Sequence, residues 1–157
     1  MKLGILREGK IPPDKRVPFT PRQLQEIQQR FPQVKLVCQA SEVRCFADAE
    51  YRSAGITIAG DISDCDVLMG IKEVPVHLLI PGKRYLFFSH TIKKQAHNRK
   101  LLQAVLEKKI TLIDYEALKD KQGNRLVAFG RYAGIVGAYN ALWTYGQRYK
   151  AFSLSNT

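Results

Sequence analysis

Two apolar runs of this chain end in residues that can move protons. Val67-Leu68-Met69-Gly70-Ile71 leads directly into Lys72, and Tyr85-Leu86-Phe87-Phe88 leads through Ser89 into His90. If both runs are strands of one sheet, the lysine and the histidine emerge together at its edge. An amine and an imidazole that converge beside a pocket can take and return protons around a carbon–nitrogen bond. Imidazole titrates in the right range unaided. A lysine works as a base near neutrality only where burial or a neighbouring cation lowers its pKa.

The elements that must position this pair alternate between strand and helix almost throughout. Residues 3–6 read as a strand, followed by a polar, proline-bearing loop over 7–18. Thr20-Pro21 opens a helix, with threonine as N-cap and proline where its missing N–H costs nothing. Leu24, Ile27 and Phe31 give that helix one apolar stripe. A strand over 34–38, a short helix over 48–53 ending at Gly55, and a brief strand over 56–58 follow. The strands over 67–71 and 85–88 carry the candidate pair. Next come an amphipathic helix over 92–109 with Leu101, Leu102, Val105 and Leu106 on its buried side, and a strand over 110–114. Residues 120–124 form a turn, 126–129 an apolar strand, and 132 to about 149 a helix carrying Ala133, Gly134, Gly137 and Ala138. The alternation predicts an α/β, Rossmann-like layered domain: a mostly parallel sheet flanked by helices and ending in a long helix.

Composition narrows the function classes. A chain of 157 residues that is 45% hydrophobic and 25% charged can bury one real core. No run is long enough for a transmembrane helix, and Met1-Lys2 runs straight into strand-like residues rather than a signal peptide. Cys38, Cys45 and Cys65 are odd in number and lack CxxC spacing, so free thiols in a reducing cytoplasm are expected. The net charge of +11 invites a nucleic-acid reading. The basic residues are scattered, however, and no zinc-finger, RNP or GXXG signature accompanies them. A basic surface that favours anionic small molecules is the expectation. His77 and His97 have no further ligands at metal-binding spacing, so no metal is predicted.

Several motifs together resemble a known family. They are Ile5-Leu6-Arg7-Glu8, Asp14-Lys15-Arg16-Val17-Pro18-Phe19-Thr20-Pro21, Gly70-Ile71-Lys72-Glu73-Val74-Pro75, Ser89-His90, Asp114-Tyr115-Glu116 and the stretch from Arg125 to Gly134. The chain is similar to the N-terminal part of saccharopine dehydrogenase of the NAD-dependent, lysine-forming type, a branch of the alanine dehydrogenase and transhydrogenase α-subunit group. The opening motif fits alanine dehydrogenases equally. The run from His90 to Gln95 and Ala128-Phe129-Gly130 favour the saccharopine branch.

The resemblance implies two Rossmann-like domains with the active site between them. The first holds the amino-acid or dicarboxylate substrate, and the second binds NAD. It implies a substrate-binding and catalytic domain over 1–131 and an interdomain helix with a C-terminal end over 132–157. The glycines between 130 and 137 lack the G-x-G-x-x-G spacing of a dinucleotide site, so NAD is expected to sit mainly on a domain outside this chain. On that reading the chain is one part of an oxidoreductase acting on CH–NH donors and is inactive without its NAD domain. In the family, saccharopine is oxidised by hydride transfer and the imine is hydrolysed to lysine and 2-oxoglutarate. Lys72 matches the lysine that deprotonates the amine, and His90 the histidine of the hydration steps. By residue type alone they would be a solvated edge lysine and a structural histidine; the motif match reverses that.

Arg16 and Arg125 are candidates for substrate carboxylates, because a guanidinium fork fits a carboxylate bidentately. Lys93, one turn beyond His90, either assists them or lies on a solvated face. Glu73 and Glu116 are candidate tuners of the pair, since a carboxylate raises the pKa of a nearby lysine. Phe129 reads as core in preference to a pocket wall. The apolar side of the last helix, from Ile135 to Trp143, should be exposed or buried by self-association. An alanine dehydrogenase-like domain and a non-catalytic amino-acid-binding module remain the alternatives.

Overall fold

The computed structural model describes residues 1–12 and 14–155. Pro13 of the expected 7–18 loop, and Asn156 and Thr157 of the expected C-terminal end, lie outside the described residues. Six strands form one sheet: β1 (Lys2–Ile5), β2 (Lys35–Gln39), β3 (Thr57–Ala59), β4 (Val67–Met69), β5 (Arg84–Phe87) and β6 (Thr111–Asp114). Their order is β3-β2-β1-β4-β5-β6, and every pairing is parallel. The chain winds outward from β1 in one direction and then restarts at β4 on its other side. The C-terminal ends of β1 and β4 therefore flank a topological switch point, where open α/β sheets place their ligands.

Helix α1 (Pro21–Arg30) begins as the sequence predicts. Thr20 accepts from the Gln23 backbone N–H, the Gln23 side chain accepts from the Thr20 N–H, and Pro21 takes the first helical position. Helix α2 (Asp48–Ser53) also matches. Alternate residues of each strand serve opposite faces of the sheet. Leu36 and Cys38 of β2 join Ile5, Leu24, Tyr51 and Ile56 on one face. Val37 joins Leu68, Tyr85, Phe87, Leu101 and Val105 on the other. A third cluster, Ile71, Phe88 and Tyr115, lies just past the ends of β4, β5 and β6 and supports the residues that follow them. Cys38, Cys45 and Cys65 are free thiols. Among the described residues, no helix is long and apolar enough to cross a membrane.

Three expectations are corrected. The helix over 92–109 begins only at Arg99, as α3 (Arg99–Glu107), after separate 3-10 turns at Thr91–Lys93 and Ala96–Asn98. His90 and Lys94 both take left-handed backbone conformations (φ 56° and 52°), which no continuous helix accommodates. The buried face of α3 is Leu101, Ala104 and Val105; Leu102 and Leu106 point to solvent. Residues 126–129 form no strand. Their backbone leaves a short return in which Lys119 bridges Arg125 and the Leu126 N–H donates to the Leu118 carbonyl, and among the described residues no further strand lies beside them.

The 120–124 turn is present, with Asp120 accepting from the backbone of Gln122 and Asn124. Helix α4 (Gly130–Tyr149) closes the chain. Its apolar side chains, among them Ile135, Val136 and Leu142, are exposed as expected.

Candidate active site

The ladder between β4 and β5 continues past both strand ends. The Gly70 N–H donates to the Leu86 carbonyl and the Phe88 N–H to the Ile71 carbonyl, each at 3.0 Å. The two runs therefore stay side by side until Lys72 and His90 leave them. Both residues line one open pocket of about 310 Å³, together with Arg16, Glu116, Arg125 and Phe129. Lys72 also borders a smaller cavity of about 100 Å³ at the switch point, shared with Glu8 and Glu73.

The His90 loop is set by a buried hydroxyl. Ser89, fully buried, donates to Asp114 at 2.5 Å, bonds the Thr91 hydroxyl at 2.7 Å, and accepts from the Thr91 N–H. Asp114 also accepts from the Glu116 N–H at 2.9 Å, so one carboxylate at the end of β6 ties the His90 and Glu116 loops together. The His90 carbonyl accepts from the Lys93 N–H at 3.2 Å and from the Asn98 amide at 3.3 Å. These bonds hold the left-handed backbone at His90, a conformation costly for most residues other than glycine. The imidazole Nδ1 stands 3.9 Å from Glu73 Oε2 and forms an ion pair with it when protonated.

Each acidic residue around the pocket has a definite partner. Glu73 pairs with Lys10. Burial pushes the Glu73 carboxyl upward, but the Lys10 bond, its own backbone and His90 outweigh that and hold it below its ordinary value. Glu116 is buried. Its Oε1 accepts from Arg125 at 2.9 Å and lies 3.2 Å from Lys93 Nζ, while its Oε2 has no hydrogen-bond partner among the described residues. Arg16 grips Asp14 bidentately, at 2.9 and 2.5 Å, and its guanidinium lies 5.1 Å from the centroid of Phe129. That fork holds the Asp14 carboxyl down at about 2.

Arg16, Lys72, His90, Glu116 and Arg125 thus come together as sequence motifs suggested, and Lys93 joins them through Glu116. Glu73 stands beside His90 on the Lys10 side. Phe129 is a correction: it is half-exposed at the start of α4, packs 6.0 Å from Phe88, and walls the pocket. Two residues escape sequence reasoning. Asp14, only two positions before Arg16, occupies the fork assigned to substrate. Glu8, three residues past the end of β1, accepts from the backbone N–H groups of Ile71 at 2.7 Å and Lys72 at 2.9 Å. An acidic residue two positions past the apolar run 3–6 was the available signal for the second.

The switch point does not suit a dinucleotide. Where a Rossmann phosphate turn offers backbone N–H groups and glycines, this chain places the Glu8 carboxylate, and the N-terminus of α1 is closed by its own capping box. Among the described residues, no three histidine, cysteine or carboxylate side chains gather as metal donors.

Comparison with known proteins identifies the fold and the family. The family model described as alanine dehydrogenase/PNT, N-terminal domain, matches residues 4–136. The chain is 39% identical over 150 residues to alpha-aminoadipic semialdehyde synthase of Arabidopsis thaliana, covering 93% of this chain and 14% of that protein. It is 33% identical over 124 residues to saccharopine dehydrogenase [NAD(+), L-lysine-forming] of Candida glabrata, covering 74% of this chain and 33% of that one. The chain therefore spans about a seventh and a third of the lengths of these relatives. A solved L-alanine dehydrogenase superposes with a TM-score of 0.64 at 17% identity, over 79% of this chain and 35% of that chain, which establishes the shared fold.

Proposed function

We propose that this chain, which belongs to the alanine dehydrogenase/PNT N-terminal domain family, is the substrate-side domain of an oxidoreductase interconverting saccharopine with L-lysine and 2-oxoglutarate. The observation that carries this reading is the single pocket holding Lys72 and His90 among Arg16 and Arg125. The similarity to a lysine-forming saccharopine dehydrogenase supports the choice of substrate.

In this reading Lys72 Nζ takes the proton of the secondary amine as the C–H bond beside it breaks. NAD, bound by a domain outside these residues, supplies the hydride acceptor. His90 then removes a proton from the water that attacks the imine carbon and returns one to the departing amine. Arg16, Arg125 and Lys93 bind substrate carboxylates. Both arginines already hold a carboxylate, so an incoming one shares or displaces Asp14 or Glu116. Glu73 stands beside His90, where it can accept from the ring once the ring has taken a proton, and Glu116 offsets the surplus of positive charge. The exposed apolar face of α4 is where the NAD-binding domain, or a second copy of the chain, packs.

One observation favours a second reading. With the Arg16 fork filled by Asp14, a substrate bearing one carboxylate, as in an alanine dehydrogenase, needs only Arg125. The deciding experiment assays the polypeptide carrying this chain with lysine, 2-oxoglutarate and NADH, and separately with pyruvate, ammonia and NADH. Lys72→Met is run beside the wild type. Turnover with the first mixture, lost by at least about a hundredfold in the folded variant, is expected. Turnover only with pyruvate selects the second reading, and wild-type rates in the variant remove Lys72 from the chemistry.

A further inference from the structure

We propose that Glu8 is a positioning residue for Lys72: its carboxylate clamps two consecutive backbone N–H groups past the end of β4 and so sets the direction in which the lysine side chain leaves the sheet. The proposal rests on the reading of Lys72 as the base.

The last backbone bond between β1 and β4 runs from the Leu6 N–H to the Met69 carbonyl, at 2.8 Å. Beyond it the two chains part, and residues 70–72 lose their neighbour on the β1 side. On the β5 side they keep one, because the Ile71 carbonyl accepts from Phe88. Glu8 replaces the missing strand with a side chain. Its Oε1 accepts from Ile71 at 2.7 Å and its Oε2 from Lys72 at 2.9 Å. The segment is thereby held from both sides up to the residue that does the work.

Gly70 makes room for this arrangement. A Cβ at Gly70 would stand 3.3 Å from Glu8 Oε1 and 3.4 Å from the Leu6 side chain. Among the described residues no cation lies within ion-pairing distance of Glu8, so the carboxylate is committed to the two amides. Glu8 lines the smaller cavity and is absent from the lining of the larger pocket, which separates it from a directly reacting group. Charge-assisted hydrogen bonds are the strong kind, and two on adjacent amides fix the orientation of a peptide plane as well as its position.

The test uses Glu8→Gln, which keeps the size of the side chain but turns an amide N–H₂ toward one backbone donor. On the isotope-labelled chain, hydrogen exchange at the Ile71 and Lys72 amides should quicken about tenfold or more, with Leu68 unchanged. The methyl signal of reductively methylated Lys72 should shift while that of Lys2 stays in place. In the assay above, kcat should fall about tenfold with KM for the amino-acid substrate within about twofold. Should Glu8→Gln fail to fold, Glu8→Asp, one methylene too short to span both amides, carries the same readouts. Unchanged exchange and an unmoved Lys72 signal overturn the clamp. If those signals move while Lys72→Met keeps full turnover, the clamp stands and the assignment of Lys72 as base fails.

Discussion

Arg125 and Glu116, nine residues apart in sequence, are joined by a 2.9 Å hydrogen bond that leaves the second carboxylate oxygen of Glu116 buried and without a partner among the described residues. Lys93 approaches the same Oε1 at 3.2 Å, so two cations depend on one oxygen. A buried charge is costly unless paired, and removing one member of such a set leaves the others uncompensated. Glu116→Gln keeps an oxygen for Arg125 but withdraws the charge. It should lower stability by about 1–3 kcal/mol, read as a shift in the urea midpoint without change of slope. An unmoved midpoint would mean that solvent already satisfies both cations.

Arg16 should reveal itself in a difference between two Michaelis constants. Its guanidinium lies between Asp14 and the Phe129 ring, so it is held in place before any ligand arrives. Under the proposed function, Arg16→Ala should raise KM for the amino-acid substrate about tenfold, the loss of roughly one charge-assisted hydrogen bond. KM for NAD should stay within about twofold. Equal rises in both constants would assign Arg16 to the architecture of the loop.

The Asp14–Arg16 pair also makes a prediction in pH. Asp14 is lowered from 3.8 to about 2, its bond to Arg16 being the main cause. A depressed carboxylate contributes stability that is complete above its unfolded pKa and is lost as pH falls through the folded one. The difference in unfolding free energy between wild type and Asp14→Asn should therefore hold steady above about pH 4 and shrink toward pH 2. Glu8 works in the opposite sense. Burial raises it above 4.5 against the pull of two backbone N–H groups, so ionising it costs stability as pH rises. A carbon-detected titration placing the Asp14 carboxyl near the usual aspartate value would dissolve the pair as an electrostatic unit.

What was legible in the sequence, and what was not, follows from the range of the forces involved. Alternating strands and helices, the Thr20 cap and the emergence of Lys72 and His90 at one edge are set by local periodicity and by neighbouring parallel strands. The partners of the charges are not local. Nothing in spacing says that Glu8 reaches across 63 residues to Ile71, or that Lys93 turns to Glu116. Residues 92–98 misled for a related reason. Their polar helix formers suit a helix, but Ser89, Asp114 and Asn98 hold the His90 loop in place and break it into 3-10 turns. The apolar run 126–129 carried a strand's composition with no strand available beside it, and Phe129 became a pocket wall instead.

The same distinction yields a last prediction on α3. Leu101, Leu102, Val105 and Leu106 form one broad apolar stripe in sequence, yet the sheet covers only part of it. Leu101 is 6% exposed and shares the core with Ala104 and Val105, at positions i, i+3 and i+4; Leu106 is 69% exposed. Leu101→Ala should therefore cost about 2–4 kcal/mol, through lost transfer energy and the cavity left behind. Leu106→Ala should fall within about 0.5 kcal/mol of wild type, because its methyl groups already face water. Denaturant unfolding of the two variants separates the cases. Comparable losses at both positions would mean that residue 106 is covered in solution, by a second copy of the chain or by another part of the protein that packs over the outer flank of α3.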